Sequence, residues 1–133
     1  MARQRDDGDS TEFAPPLGRL KEPQRLIRRA QVHWVKFGGA RGRRPAVVVS
    51  NDRANNGHTI IIVAPITNTA PADRYPSVLR FDELADAGPV TGCARFDALQ
   101  AVPRTDVEDT PYHVLAGSDL AAVDACLRDA VGL

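Results

Sequence analysis

Arg43-Arg44-Pro45-Ala46-Val47-Val48-Val49-Ser50-Asn51-Asp52 is the stretch that decides the fold. Ala46 to Val49 is a short run of small and β-branched apolar residues, the composition of a buried strand. The Asn, Asp and Gly residues of Ser50 to Gly57 then favour a turn with one helical turn inside it. Upstream, Gln31 opens a first β run carrying Val32, Trp34 and Val35, and Gly38-Gly39 opens a short turn between the two strands. Downstream, Thr59 to Ile66 makes a third strand, Pro76 to Phe81 a fourth, and Pro89 to Val102 has apolar positions for one long or two short strands. Short strands with brief connections predict a small β-barrel. The ending differs: Ser118 can cap a helix, and Leu120, Val123, Leu127 and Val131 follow at helical spacing, so a carboxy-terminal helix should pack on the barrel.

The rest of the chain sets bounds on this core. A length of 133 residues, 43% hydrophobic and 26% charged, suits one soluble domain rather than a disordered or fibrous chain. No apolar run approaches 18 residues, which argues against a membrane span, and Met1 to Ser10 lacks the apolar centre of a secretory signal, so a cytoplasmic protein is expected. Residues 1 to about 16 close with Pro15-Pro16 and read as a flexible extension. Leu17 to Ala30, with Leu20, Leu26 and Ile27 among basic residues, reads as a short helix interrupted at Pro23. The expected division is an extension over 1–28 and a folded domain over 29–133. Cys93 and Cys126 have no CxxC spacing and read as reduced, buried thiols.

Charge is unevenly distributed under a net total of zero. No acid lies between Glu22 and Asp52, a window holding Arg25, Arg28, Arg29, Lys36, Arg41, Arg43 and Arg44, whereas the tail carries Asp106, Glu108, Asp109, Asp119, Asp124 and Asp129. Such a window is either a polyanion site or a solvated charged face, and charge by itself favours the second. His33, His58 and His113 stand far apart with no ligand spacing, so no metal site and no cofactor are expected. There is no P-loop, leaving Arg41-Gly42-Arg43-Arg44-Pro45 before one strand and Ile66-Thr67-Asn68-Thr69 after another.

Here a resemblance becomes specific. Arg29-Ala30-Gln31-Val32-His33-Trp34-Val35 followed by Arg43 to Asp52 closely resembles the opening of MazF/PemK toxins, and Val63-Ala64-Pro65-Ile66-Thr67 matches that family's next strand. Asp97 to Val102 and the Leu120-Ala121-Ala122-Val123-Asp124 helix are similar to its later segments, so the likeness runs over roughly Arg29 to Leu133. It implies a homodimer of SH3-like barrels with a carboxy-terminal helix, and a cognate antitoxin as partner. It also implies a reaction on single-stranded RNA, in which the 2′-hydroxyl attacks the adjacent phosphate to leave a 2′,3′-cyclic phosphate and a 5′-hydroxyl.

That nucleophile belongs to the substrate, so DNA should be inert and no metal-bound water is required. By resemblance, Arg44 and Thr67 occupy the two catalytic positions. Arg44 offers an always-charged fork to the phosphoryl oxygens, and Thr67 a hydroxyl that orients the phosphate or the nucleophile. An Arg is a poor proton donor near neutral pH, which makes an acid role for Arg44 hard to justify. Arg95-Phe96-Asp97 has the spacing some members use for a second Arg and an Asp; on one strand face both meet the same phosphate, with Asp97 as base. The other reading is a surface ion pair between Arg95 and Asp97. Arg41, Arg43, Asn51, Asn68 and Arg95 are the expected RNA contacts, although Asn51 and Asp52 equally serve to shape their turn. Trp34 suits the core or a dimer interface better than a base-stacking platform. The Gly38 to Gly42 loop is shorter than the family's usual connection, which helps select the RNA. Two other functions stay open: a non-catalytic CcdB-like inhibitor of DNA gyrase, and an inactive RNA-binding relative.

Overall fold

A computed structural model describes residues 26–57 and 59–133, with the side chain of Arg41 excepted. The expected flexible stretch, most of the expected Leu17–Ala30 helix and His58 lie outside the described residues; 26–30 carry no helix, only a turn at Arg29-Ala30.

The strands are β1 (Gln31–Lys36), β2 (Arg43–Val48), β3 (Ile60–Thr67), β4 (Val78–Arg80), β5 (Cys93–Arg95), β6 (Gln100–Pro103) and β7 (His113–Val114). The helices are α1 (Asp52–Gly57), inside the expected turn, and α2 (Ser118–Val131). All pairings are antiparallel, in the order β4-β5-β3-β2-β1-β7, with β6 also on β3. Of the two readings of Pro89–Val102, two short strands are observed. A 3-10 turn at Phe96–Ala98 redirects the chain, so β5 pairs the carboxy half of β3 and β6 its amino half. Beyond β6, Val107 bridges back to Val35 of β1, which brings the two sides of the sheet together as a small barrel.

Alternation along the strands builds two cores. Val35, Ala46, Val48, Ile61 and Val63 face the barrel interior with Ile27, Val102 and Val107. Val32, Val47, Ala64 and Ile66 face the other way and are covered by Phe81, Phe96, Leu115, Val123 and Cys126. Apolar runs replace alternation in β2 and β3 because both faces are covered. Ile27 is fully buried, and its backbone is held by Asn56 at 3.0 Å (N–H to Oδ1) and 2.9 Å (Nδ2 to C=O). Ile27 thus joins the core of the barrel.

Two details of α2 differ from expectation. Gly117, not Ser118, is its N-cap, with no side-chain cap bond. Its buried face is Asp119, Val123 and Cys126, flanked by half-buried Leu120 and Leu127, while Val131 is 52% exposed. An acid tolerates this burial because the Asp119 carboxylate accepts the backbone N–H groups of Ala85 and Asp86, each at 2.8 Å. β7 was not expected at all: two residues carry too little pattern to read. Both cysteines are free and buried, as expected, and burial pushes their thiols up.

Candidate active site

The site grows out of the open end of the β2–β3 ladder. Ala46 is registered with Pro65, the last pair of the ladder, and Arg44 and Thr67 each lie two residues further along their own strand. Period-two alternation puts both on the barrel-interior face, where they rim a cavity of about 340 Å³ with Phe37, Thr69, Arg95 and Ala98. On the other face of the same strand ends lies a cavity of about 220 Å³ lined by Trp34, Arg43, Asn68, Thr91 and Tyr112. Arg44 lines both cavities.

Thr67 is positioned by Gly92. The glycine has φ +87°, and a Cβ there would lie 2.1 Å from the Thr67 carbonyl oxygen, so only glycine permits this approach. Thr67 is registered with Cys93, and Arg95 follows on the same face, which is how β5 delivers a second Arg to the cavity of Thr67.

Asp97 is not on the strand. It lies in the Phe96–Ala98 turn and accepts hydrogen bonds from Arg95 Nε at 2.9 Å and Nη2 at 2.7 Å. These bonds hold its carboxyl below the usual carboxylate range, outweighing slight burial. Arg43 is likewise engaged: it donates through Nε and, at 3.0 Å, through Nη2 to Glu108, whose carboxyl is held low by those bonds. The Arg43 guanidinium also lies over the Trp34 ring, 4.2 Å from its centroid, and Tyr112 packs on Trp34 at 5.2 Å. Fold-back of the acidic tail thus offsets part of the basic window, with Asp124 on Arg29 doing the same.

The expected RNA contacts separate. Arg43, Asn68 and Arg95 line one cavity or the other. Asn51 does not: its Oδ1 accepts the Ala54 N–H at 2.8 Å and caps α1, at the end of β2 away from Arg44, so its turn-shaping alternative is the one seen. The side chain of Arg41 lies outside the described residues. The sequence gives no site role to Gly92, Thr91, Tyr112 or Glu108, and it favours the core or a dimer interface for Trp34. A Gly-Cys step entering a strand was the one local signal, for a close approach at Gly92.

The strand ends of this small barrel thus present an Arg and a hydroxyl at a shared recess, beside an aromatic one. The sequence model for the PemK-like, MazF-like toxins of type II toxin-antitoxin systems matches residues 28–131. Over 113 residues the chain is 30% identical to endoribonuclease MazF9 of Mycobacterium tuberculosis, covering 77% of this chain and 94% of that protein. Among solved structures, a mycobacterial endoribonuclease in complex with its cognate antitoxin superposes with a TM-score of 0.68 at 20% identity, covering 80% of this chain and 96% of that one. The MazE–MazF complex of Deinococcus radiodurans gives 0.64 at 22% identity, covering 81% and 97%; both likenesses bear on the fold. The chain belongs to the PemK-like, MazF-like toxin family.

Proposed function

We propose that this chain is a sequence-specific endoribonuclease toxin that cuts single-stranded RNA through the substrate's own 2′-hydroxyl. The observation that carries the reading is that Arg44 and Thr67 line one cavity. The O2′–P bond forms as the P–O5′ bond breaks; the 2′-hydroxyl proton is lost to water and the departing 5′ oxygen takes one up. Arg44 and Arg95 offset the charge that builds on the phosphoryl oxygens, and Thr67 fixes the reacting group by a hydrogen bond. Asp97, a weakened base, serves to hold Arg95. This scheme needs no metal-activated water, because the nucleophile comes with the RNA. The functional unit is a cytoplasmic homodimer restrained by a cognate antitoxin, with residues before the barrel as an extension. The naming of the 30%-identical relative as an endoribonuclease favours this reading over gyrase inhibition.

The test incubates the full chain, with chelator, with matched single-stranded RNA and DNA. RNA is cut to cyclic-phosphate ends and DNA is untouched. Arg44→Ala lowers the rate about 10²- to 10³-fold, the cost of removing one preorganised charge-stabilising donor. Thr67→Ser stays within a few fold, whereas Thr67→Ala loses about tenfold. Intact RNA across a diverse pool overturns the reading.

A further inference from the structure

The 220 Å³ cavity is the feature this scheme leaves unused. Its walls combine aromatic and apolar side chains with polar ones: Trp34 and Tyr112 meet at 57° with centroids 5.2 Å apart, and Val90 lines the recess beside Asn68 and Thr91. Its one strong charge besides Arg44 is Arg43, and that guanidinium is already bonded twice by Glu108 and stacked over Trp34. A phosphate entering would have to displace a carboxylate that already satisfies this Arg. A flat, uncharged ring meets no such competitor and gains from stacking on aromatic and guanidinium planes. Asn68, exposed and on the cavity wall, supplies both a donor and an acceptor, and Thr91 a hydroxyl, the groups that read a base edge.

We infer that this cavity is a specificity subsite that captures one unpaired nucleobase from a nucleotide flanking the scissile phosphate, stacking it against the Trp34–Arg43–Tyr112 cluster and reading its edge with Asn68 and Thr91. The inference rests on the endoribonuclease reading only for which phosphate lies next door. Arg44 lines both recesses, so a phosphate held there has a neighbouring base within reach of this one.

Trp34 is the chain's single tryptophan, so its fluorescence reports the cavity without interference. Wild-type protein is titrated with a short RNA carrying its cleavage motif, blocked by one 2′-deoxy substitution at the cut, with anisotropy recording binding in parallel. The RNA should quench Trp34. An abasic nucleotide walked along the strand should abolish the quench at one position beside the cut and weaken binding there about tenfold or more, within the range of a lost base–aromatic stack. Asn68→Ala should relax the base preference of cleavage at that position alone, and Tyr112→Leu should make the abasic and intact RNAs bind alike. The abasic series leaves the protein unaltered, so it decides the matter even if Tyr112→Leu folds poorly. RNA that binds and is cut with steady Trp34 emission and no abasic-sensitive position overturns the subsite and leaves the nuclease standing. A position-specific quench with no cleavage of unblocked RNA keeps the subsite and overturns the nuclease. No RNA binding overturns both.

Discussion

Arg95 clasps Asp97 through two hydrogen bonds, 2.9 and 2.7 Å long, across a 3-10 turn that follows the strand. The carboxylate is thereby held low in pKa, which suits an anchor better than a base. Asp97→Asn should therefore lower RNA cleavage only several-fold and leave the shape of the pH–rate profile intact, while Arg95→Ala costs more. A loss of 10²-fold or greater in Asp97→Asn, with the acidic limb of the profile gone, would restore Asp97 as the base.

Gly92 is the point where fold and site share a constraint. Its Cβ would meet the Thr67 carbonyl oxygen at 2.1 Å, and its φ of +87° is itself unfavourable for other residues. Gly92→Ala should destabilise by about 1–3 kcal/mol and lower the melting temperature by several degrees. Gly42→Ala, at φ +59° with nothing within 4 Å of its Cβ, should bear only the backbone strain. Equal losses of stability in the two variants would mean that the contact with Thr67 is unimportant.

His33 is fully buried, with Nδ1 2.6 Å from the Glu108 carbonyl oxygen and Nε2 2.8 Å from Gln31 Oε1. Burial lowers its pKa below 6.5, although the Glu108 carbonyl pulls the other way. The unfolded chain therefore takes up a proton that the folded one refuses, and stability falls as pH drops from about 6.5 toward the folded-state pKa. The carboxylates held low, Glu83, Asp97 and Glu108, lose their contribution only below about pH 4.5, so they do not confuse this window. Denaturant midpoints at about pH 7.5 and 5.5 should differ in the wild type and converge in His33→Asn.

Glu108 bonds Arg43 twice, and under the proposed function it would compete there with RNA. Glu108→Gln keeps the shape but drops the charge, so RNA should bind several-fold tighter at low salt, with a log–log salt slope steeper by up to about 0.7. Weaker binding would show instead that the pair is needed to hold Arg43 over Trp34.

Much of this protein was legible locally. The apolar runs of β1 to β3, the turn holding α1 and the spacing of α2 each follow from contiguous residues. Arg44 and Thr67 stand at strand ends in the sequence itself, and the family resemblance pointed to both. Strand periodicity then aims them to one face, because side-chain direction is a property of the strand and needs no distant partner. Tertiary structure decided the remainder, through contacts between residues far apart in the chain. Glu108 reaches Arg43 across 65 positions, which settles how much of the basic window stays open to a polyanion. The meeting of Trp34 with Tyr112 makes a recess from a residue that reads as core. The two N–H groups that bond Asp119 let an acid join the buried face of α2, and the proximity of Gly92 sets the Thr67 backbone. None of these leaves a periodic mark in sequence, because each depends on which elements meet once the barrel has closed.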